Sequence, residues 1–182
     1  MMKGLIIFST HMEDVEALAT KALLTRAGLK MDSLTFEQSK EIKTAFNQKV
    51  IADYFMDEIN ISDYAFIVVP GDKYVSEIID KDVNIKHIVT QFYQYNKLVA
   101  AICAGPRFLG QAGLLDGRSF TCYKGSEVDM QKGKYLPDLK AVRDQNIITA
   151  RGAGAVYEFA YEIVKYLISE SDADRLLENI LF

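Results

Sequence analysis

The sequence contains few of the residues on which disulfide-rich, metal-binding and disordered proteins depend. Its 182 residues include only 2 cysteines, 2 histidines and 3 prolines. The cysteines, Cys103 and Cys122, cannot form a disulfide scaffold, and no Cys/His spacing of the zinc type accompanies them. The low proline content and the 11 glycines argue against long disordered segments. We therefore predict a folded chain with free thiols, and nothing in the sequence requires a metal or an organic cofactor.

The sequence also lacks a cluster of basic residues and a long apolar run. The 21 Lys and Arg residues against 25 Asp and Glu residues give a net charge of −4, which is unfavourable for binding nucleic acid or a membrane surface. No window reaches the ~18 apolar residues of a membrane span. The N-terminal residues MMKGLIIFST do not have the pattern of a secretory signal peptide. We expect a cytoplasmic protein, because free thiols persist in a reducing compartment.

Hydrophobic residues make up 49% of the chain, which is enough to form a full core, and the length favours one domain over residues 1–182. Short apolar runs alternate with segments of helical periodicity. This pattern predicts an α/β fold with a mostly parallel sheet and helices on both faces. The predicted strands are Gly4–Ser9, Leu29–Phe36 (an alternating pattern), Ala65–Val69, Leu98–Cys103, Phe120–Tyr123 and Ile147–Ala150.

The helices are predicted between and after these strands. A capping box from Thr10 to Glu13 is expected to start the first helix, and Gly28 is expected to end it. Residues 37–62 are interpreted as short strands and a turn. Further helices are predicted around Ile85–Phe92, after Pro106, over Val156–Leu167 and from about Asp172.

Cys103 carries the sharpest chemical indication, because a buried strand turns there directly into a helix. A nucleophile on such a turn points out of the sheet, and the turn needs small neighbours, which Ala101 and Gly105 provide. The N–H groups of the new helix favour an anion and can lower the pKa of the thiol. The alternative is a small buried hydrophobic residue, and this is how we interpret Cys122, within its predicted strand.

Glu16 lies at the edge of the apolar stripe of the first helix, which begins at the carboxyl end of a strand. A half-buried carboxyl group tends to stay protonated and can donate a hydrogen bond to a thiolate. The alternative is a solvated glutamate that is favoured by the helix dipole, which is how we interpret Glu13 and Asp14.

Other candidates also follow strands whose carboxyl ends meet at one edge of the sheet. The turn at Gly71-Asp72 offers N–H groups to an oxyanion, or is an ordinary turn. Arg151 opens a glycine-rich stretch and can contact substrate or pair with a carboxylate. His11 can act beside Cys103 or remain a solvated loop residue, and Tyr123 can donate a hydroxyl or simply pack.

Several of these segments, in this order, resemble the PfpI-like superfamily, in the branch of the Parkinson disease deglycase. The resemblance covers most of the chain. Glu16 matches the glutamate of that family. Ala100–Pro106 (AAICAGP) resembles the family's nucleophile elbow, Val68–Gly71 its strand-end glycine turn, and Ile148–Gly152 with Glu158–Ala160 the segment that opens its last long helix.

The resemblance implies a flavodoxin-like three-layer sandwich, a single domain of the class I glutamine amidotransferase-like type, and a homodimer. It implies a Cys103 thiolate that is hydrogen-bonded by protonated Glu16, with an oxyanion held by backbone N–H groups near Gly71, Asp72 and Ala104. The implied substrates are 2-oxoaldehydes or their early glycation adducts, converted without glutathione. The alternative is a redox-sensing or chaperone-like stress protein that uses the oxidation of Cys103 to a sulfinic acid.

Four positions depart from the pattern of the family. Ala104 stands where the protease-annotated branch has a histidine, so we do not expect peptidase activity. Asp72 replaces the second glycine of the oxyanion turn. Tyr123 replaces a histidine, and Phe46 replaces an arginine near the site. These departures bear on anion binding and on the choice of substrate.

Overall fold

The computed structural model describes residues 2–182, and most of its strands lie in one central sheet. In chain order the strands are β1 (Lys3–Ile7), β2 (Lys30–Thr35), β3 (Glu41–Lys43), β4 (Lys49–Ile51), β5 (Tyr54–Phe55), β6 (Phe66–Val69), β7 (Leu98–Ile102), β8 (Ser119–Phe120), β9 (Lys134–Tyr135), β10 (Ala141–Asp144) and β11 (Ile147–Ala150). Two short ladders, β3 with β4 and β8 with β9, lie outside it.

The central sheet has seven strands in the order β10-β11-β7-β6-β1-β2-β5. All neighbours are parallel except β10, which pairs antiparallel with β11. The chain proceeds from β1 to β2 on one side and then returns to β6 on the other side. The strand order therefore changes direction beside β1, and the crevice outside the carboxyl ends of β1 and β6 is the expected place for a ligand.

Two groups of helices cover the sheet. The helices are α1 (Thr20–Arg26), α2 (Lys73–Ile78), α3 (Asn84–Gln94), α4 (Pro106–Gln111), α5 (Val156–Leu167) and α6 (Glu170–Asn179). In one group α5 packs on α1 and α6 and contacts β10 and β11, and in the other α3 packs on α4 and contacts β6 and β7. The apolar faces of the helices and the doubly buried strands form the core. The predicted α/β architecture with a mostly parallel sheet is confirmed.

Two strand predictions need correction. The strand predicted over 29–36 does not alternate, because every residue of β2 after Lys30 is buried. Asp32 is one of these residues, and it is accommodated by an ion pair with Lys3 at 2.6 Å. The strand predicted over 120–123 ends at Phe120 and pairs only with β9, so Cys122 lies in the connection that follows it. The remaining predicted strands agree with the structure within two residues at each end.

Among residues 2–182, none of the helices combines the length and the apolar composition that crossing a membrane requires.

Candidate active site

Cys103 occupies a strained turn between β7 and α4. Its φ of +63° lies in the left-handed region, which is uncommon for a residue with a side chain. The N–H of Cys103 donates to the carbonyl of Ala150 in the neighbouring strand β11 at 2.9 Å, and Pro106 starts α4 three residues later. The side chain retains 9% exposure. This geometry is the predicted elbow, with the thiol between the sheet and the start of a helix.

Two glycines allow the backbone to pass close to this elbow. A Cβ atom on Gly71 would lie 2.6 Å from the amide nitrogen of Ala104 and 2.6 Å from the Cβ of Cys103. A Cβ atom on Gly105 would lie 2.5 Å from the carbonyl oxygen of Val69. These positions therefore require glycine, because the obstacles are backbone atoms or the base of the nucleophile's own side chain.

Glu16 enters the site from a π-helical turn, Val15–Ala19, that precedes α1. Such wide turns are rare and occur often at functional sites. The side chain is fully buried, and the N–H of Gly71 donates to its Oε2 at 2.9 Å. The other oxygen, Oε1, finds no hydrogen-bond partner of good geometry among the described residues, and the thiol of Cys103 is the titrating group in contact with this carboxyl.

The predicted capping box is absent, and Glu13 starts the helix instead. The Oε2 of Glu13 accepts the N–H of Glu16 at 2.6 Å. The Oγ1 of Thr10 donates to the Oε2 of Glu37 at 2.7 Å, so this hydroxyl binds a distant loop and not the helix start. The interpretation of Glu13 as a solvated residue is wrong, since it is buried and lines the cleft described below.

Glu16 and Cys103 form a coupled buried pair. Burial raises the pKa of Glu16 to about 7. Burial and the charge of the Glu16 carboxylate raise the pKa of the Cys103 thiol, while the N–H groups of Ala104 and Asp72 act in the opposite direction. The predicted lowering of the thiol pKa is therefore wrong while Glu16 is ionised. A thiolate on Cys103 therefore forms most readily when Glu16 is protonated.

The three backbone N–H groups that were expected to hold an oxyanion have different partners in the structure. The N–H of Gly71 is engaged by Glu16 and is therefore not free to bind an oxyanion. The N–H groups that hydrogen-bond the sulfur of Cys103 are those of Asp72 and Ala104. Asp72 adopts φ +91° and ψ −161°, so its N–H still faces the sulfur although an aspartate replaces the glycine at this turn.

A cleft of about 1100 Å³ opens over Cys103 and Glu16. Tyr123 and Arg151 line it, and both side chains are exposed. The N–H of Tyr123 donates to the carbonyl of Cys103 at 2.8 Å, which holds this connection against the elbow. Arg151 forms no ion pair with any carboxylate of residues 2–182, so the interpretation in which it locks its loop through a carboxylate is not supported.

Cys122 also lines the cleft, which its predicted position within a strand did not indicate. It is 2% exposed. Burial raises the pKa of its thiol to about 12, and Tyr135 is its hydrogen-bond partner. Cys122 is therefore a poorer nucleophile than its place in the cleft would suggest.

The structure does not bring His11 into the cleft. Its imidazole Nδ1 lies 2.9 Å from the Oε2 of Glu77, and this exposed pair does not line the cleft. Phe46 is 64% exposed and is also absent from the residues that line the cleft. Within the described part of the chain, no group of three His, Cys, Asp or Glu residues is arranged to hold a metal ion.

Comparison with known families agrees with this geometry. The model of the DJ-1/PfpI family matches residues 2–166. The chain belongs to this family. Among its relatives is protein dj-1beta of Drosophila melanogaster, which is 25% identical over 179 residues, 98% of this chain and 96% of the relative. The crystal structure of that protein superposes with a TM-score of 0.90, at 26% identity and with 99% and 97% of the two chains covered, which confirms the flavodoxin-like fold.

Two further relatives of the DJ-1/PfpI family carry names that describe an activity. The glutathione-independent glyoxalase DJR-1.2 of Caenorhabditis elegans is 29% identical over 170 residues, which cover 92% of this chain and 89% of the relative. The deglycase PfpI of Pyrococcus furiosus is 31% identical over 167 residues, which cover 91% and 99%. The family therefore includes one protein named as a glutathione-independent glyoxalase and another named as a deglycase.

Proposed function

We propose that this protein converts 2-oxoaldehydes, or their early glycation adducts, to 2-hydroxy acids through a thiolate on Cys103 that is assisted by Glu16. The observation that carries the proposal is the coupled pair: a thiol on a strained elbow against a fully buried carboxyl whose pKa is raised to about 7. The two relatives named glyoxalase and deglycase support it. The proposal requires no cofactor.

In the first step the Cys103 thiolate adds to the aldehyde carbon and forms a C–S bond. The electron pair of the C=O bond moves onto oxygen, which receives the proton of Glu16, so a neutral hemithioacetal results. The N–H groups of Asp72 and Ala104 are the donors nearest to the sulfur, and they stabilise the charge that develops on oxygen.

In the second step the ionised Glu16 removes the proton from the former aldehyde carbon, and the electron pair shifts toward the neighbouring carbonyl to give an enediolate. Glu16 returns this proton to the second carbon, and the proton on the first oxygen moves to the oxygen of the second carbon, which leaves a thioester of the 2-hydroxy acid. Water hydrolyses the thioester and restores the thiol. The oxidation of one carbon balances the reduction of the other, so no external oxidant is needed.

The experiment that tests this function is a panel of small aldehydes incubated with the wild-type protein. Methylglyoxal and glyoxal should be consumed with formation of lactate and glycolate, while monoaldehydes such as acetaldehyde should persist, because they lack the neighbouring carbonyl that accepts the electron pair. Chiral analysis and mass balance identify the product. If wild-type protein forms no 2-hydroxy acid from either substrate, the proposed function is wrong.

The second candidate function is redox sensing, which the residual 9% exposure of Cys103 next to two backbone donors favours. We predict that mild hydrogen peroxide takes Cys103 to the sulfinic acid and stops there, because those donors and protonated Glu16 hydrogen-bond the sulfinate oxygens. Intact mass should rise by two oxygen atoms on one residue. Retention of the product in Cys103→Ser, or its loss in Cys122→Ser, would contradict this assignment.

We further propose a homodimer, which the family resemblance implies. Exposed apolar side chains at Tyr157, Leu181 and Phe182 near the end of the chain provide a surface that a second copy could cover. Sedimentation at micromolar concentration should give about twice the chain mass of 20.5 kDa. A single species at the chain mass would argue against the dimer.

A further inference from the structure

Asp72 has a backbone conformation that a side chain makes unfavourable. Its φ of +91° and ψ of −161° lie in a region that is populated almost entirely by glycine. A glycine would adopt this conformation freely and would present the same N–H to Cys103. The carboxylate is thus the feature that Asp72 adds, and the protein retains it in spite of the backbone strain.

The carboxylate of Asp72 lies at the cleft beside the reacting groups. Its Oδ1 accepts the N–H of Lys73 at 2.6 Å, which fixes it at the start of α2, and the residue lines the cleft. The charge of Asp72 acts on both Glu13 and Glu16, since it contributes to raising the pKa of each. The backbone N–H of the same residue hydrogen-bonds the sulfur of Cys103, so an electrophile that reaches the sulfur comes close to Asp72.

Three cations, on Lys73, Lys124 and Arg151, also line the cleft, but at its exposed margin. None of them is among the main influences on the pKa of Glu16, whereas the charges of Glu13 and Asp72 are, and the charged side chain that acts on the pKa of Cys103 is Glu16. The carboxyl groups of Glu13, Glu16 and Asp72 therefore line the cleft together with Cys103, although its margin carries positive charge. An anionic reagent that reaches Cys103 must approach this group of carboxylates.

We propose that Asp72 is a specificity-determining residue whose carboxylate disfavours anionic electrophiles at Cys103, so that the site selects uncharged carbonyl compounds. This proposal deepens the function proposed above and rests on it for the natural substrate. The selection acts on any electrophile that approaches the sulfur, because it is a charge–charge repulsion and not a contact with one substrate. It can therefore be measured without turnover.

The test compares two alkylating probes of similar size, neutral iodoacetamide and anionic iodoacetate. In both reactions the thiolate forms a C–S bond and iodide leaves. The rate of adduct formation at Cys103 is followed by peptide mapping, and the quantity of interest is the ratio of the iodoacetate rate to the iodoacetamide rate. A change in the reactivity of the thiol alters both rates equally and cancels in this ratio.

The informative variant is Asp72→Asn, which keeps the size of the side chain, its capping oxygen and its tolerance of positive φ, but removes the charge. We expect the ratio to rise about tenfold, as for one charge removed at short range in a partly solvated cleft. Asp72→Gly should raise the ratio by the same factor and should also raise Tm, because the strain disappears.

Glu77→Gln is the matched control, because it removes one negative charge from α2, the helix that Asp72 caps, at a position outside the cleft. Its ratio should stay within about twofold of wild type, as expected for an exposed, screened charge. A wild-type ratio in folded Asp72→Asn, or an equal rise in Glu77→Gln, would overturn the proposal. If wild type forms no 2-hydroxy acid but the ratio still responds to Asp72 alone, the proposed function fails and the charge selection stands.

Discussion

Replacing Cys103 with alanine is expected to abolish turnover of methylglyoxal, with a loss of at least about 10³-fold in kcat/KM. The thiol is the only nucleophile that the protein contributes to the proposed reaction, and alanine leaves the elbow intact because it is smaller and apolar. The side chain occupies a nearly buried position, so the variant should remain folded. The measurement is the rate of 2-hydroxy acid formation by wild type and variant at equal protein concentration.

Cys122→Ser provides the control for this substitution, since Cys122 is the other thiol that lines the cleft. Cys122 is 2% exposed against 9% for Cys103, whose sulfur also accepts two backbone N–H groups, so limiting iodoacetamide should label Cys103 first and Cys122→Ser should keep turnover within about threefold. Preferential labelling of Cys122, or full activity in Cys103→Ala, would show that the elbow thiol is not the nucleophile.

The second large effect is expected for Glu16→Gln. The glutamine oxygen can still accept the N–H of Gly71, and its amide can donate toward the sulfur, but it cannot carry a proton between the carbons of the substrate. We expect turnover to fall by about 10²–10⁴-fold, the usual contribution of a general acid–base group. Alkylation and sulfinate formation at Cys103 should persist, because the negative charge that opposes the thiolate is gone.

Glu13→Gln is the matched control, because it changes a neighbouring buried carboxyl that holds the helix start and not the sulfur. Its amide oxygen can still accept the N–H of Glu16, so most of the turnover should remain. Methylglyoxal turnover by Glu16→Gln at the wild-type rate would exclude Glu16 as the acid–base group. If alkylation and oxidation were also unchanged, the carboxyl would have no role in either process.

Glu16→Gln should also alter how the free energy of unfolding depends on pH. The pKa of Glu16 is about 7 in the folded protein against 4.5 for the free side chain. Between these values the folded state holds a proton that the unfolded state has lost, so the free energy of unfolding falls as pH rises. The contribution is fully present below about pH 4.5 and is lost by about pH 7. It amounts to about 3 kcal/mol, and it should be missing from denaturant titrations of Glu16→Gln.

The sequence by itself determined the sheet and the place of the nucleophile. Runs such as Phe66–Val69 and Leu98–Ile102 are apolar on both faces, which only a covered parallel strand accommodates. Gly71 and Gly105 could be recognised because turns that carry backbone so close to a nucleophile leave no room for a Cβ atom. Both requirements, apolar residues in a covered strand and glycine at a crowded turn, concern residues that are close together in the chain, so the sequence shows them directly.

Tertiary structure alone decided how the polar groups around Cys103 are paired. His11 follows the correct strand but turns to Glu77, and the N–H of Gly71, expected to be free, is engaged by Glu16, which lies 55 positions away in the chain. Cys122 enters the cleft because β8 stops at Phe120. Hydrogen bonds of polar side chains depend on which loops pack together and at what angle. Neither hydrophobic periodicity nor residue spacing contains that information. The strands could be predicted because an apolar strand can be buried against any apolar neighbour, whereas a polar side chain needs one particular partner.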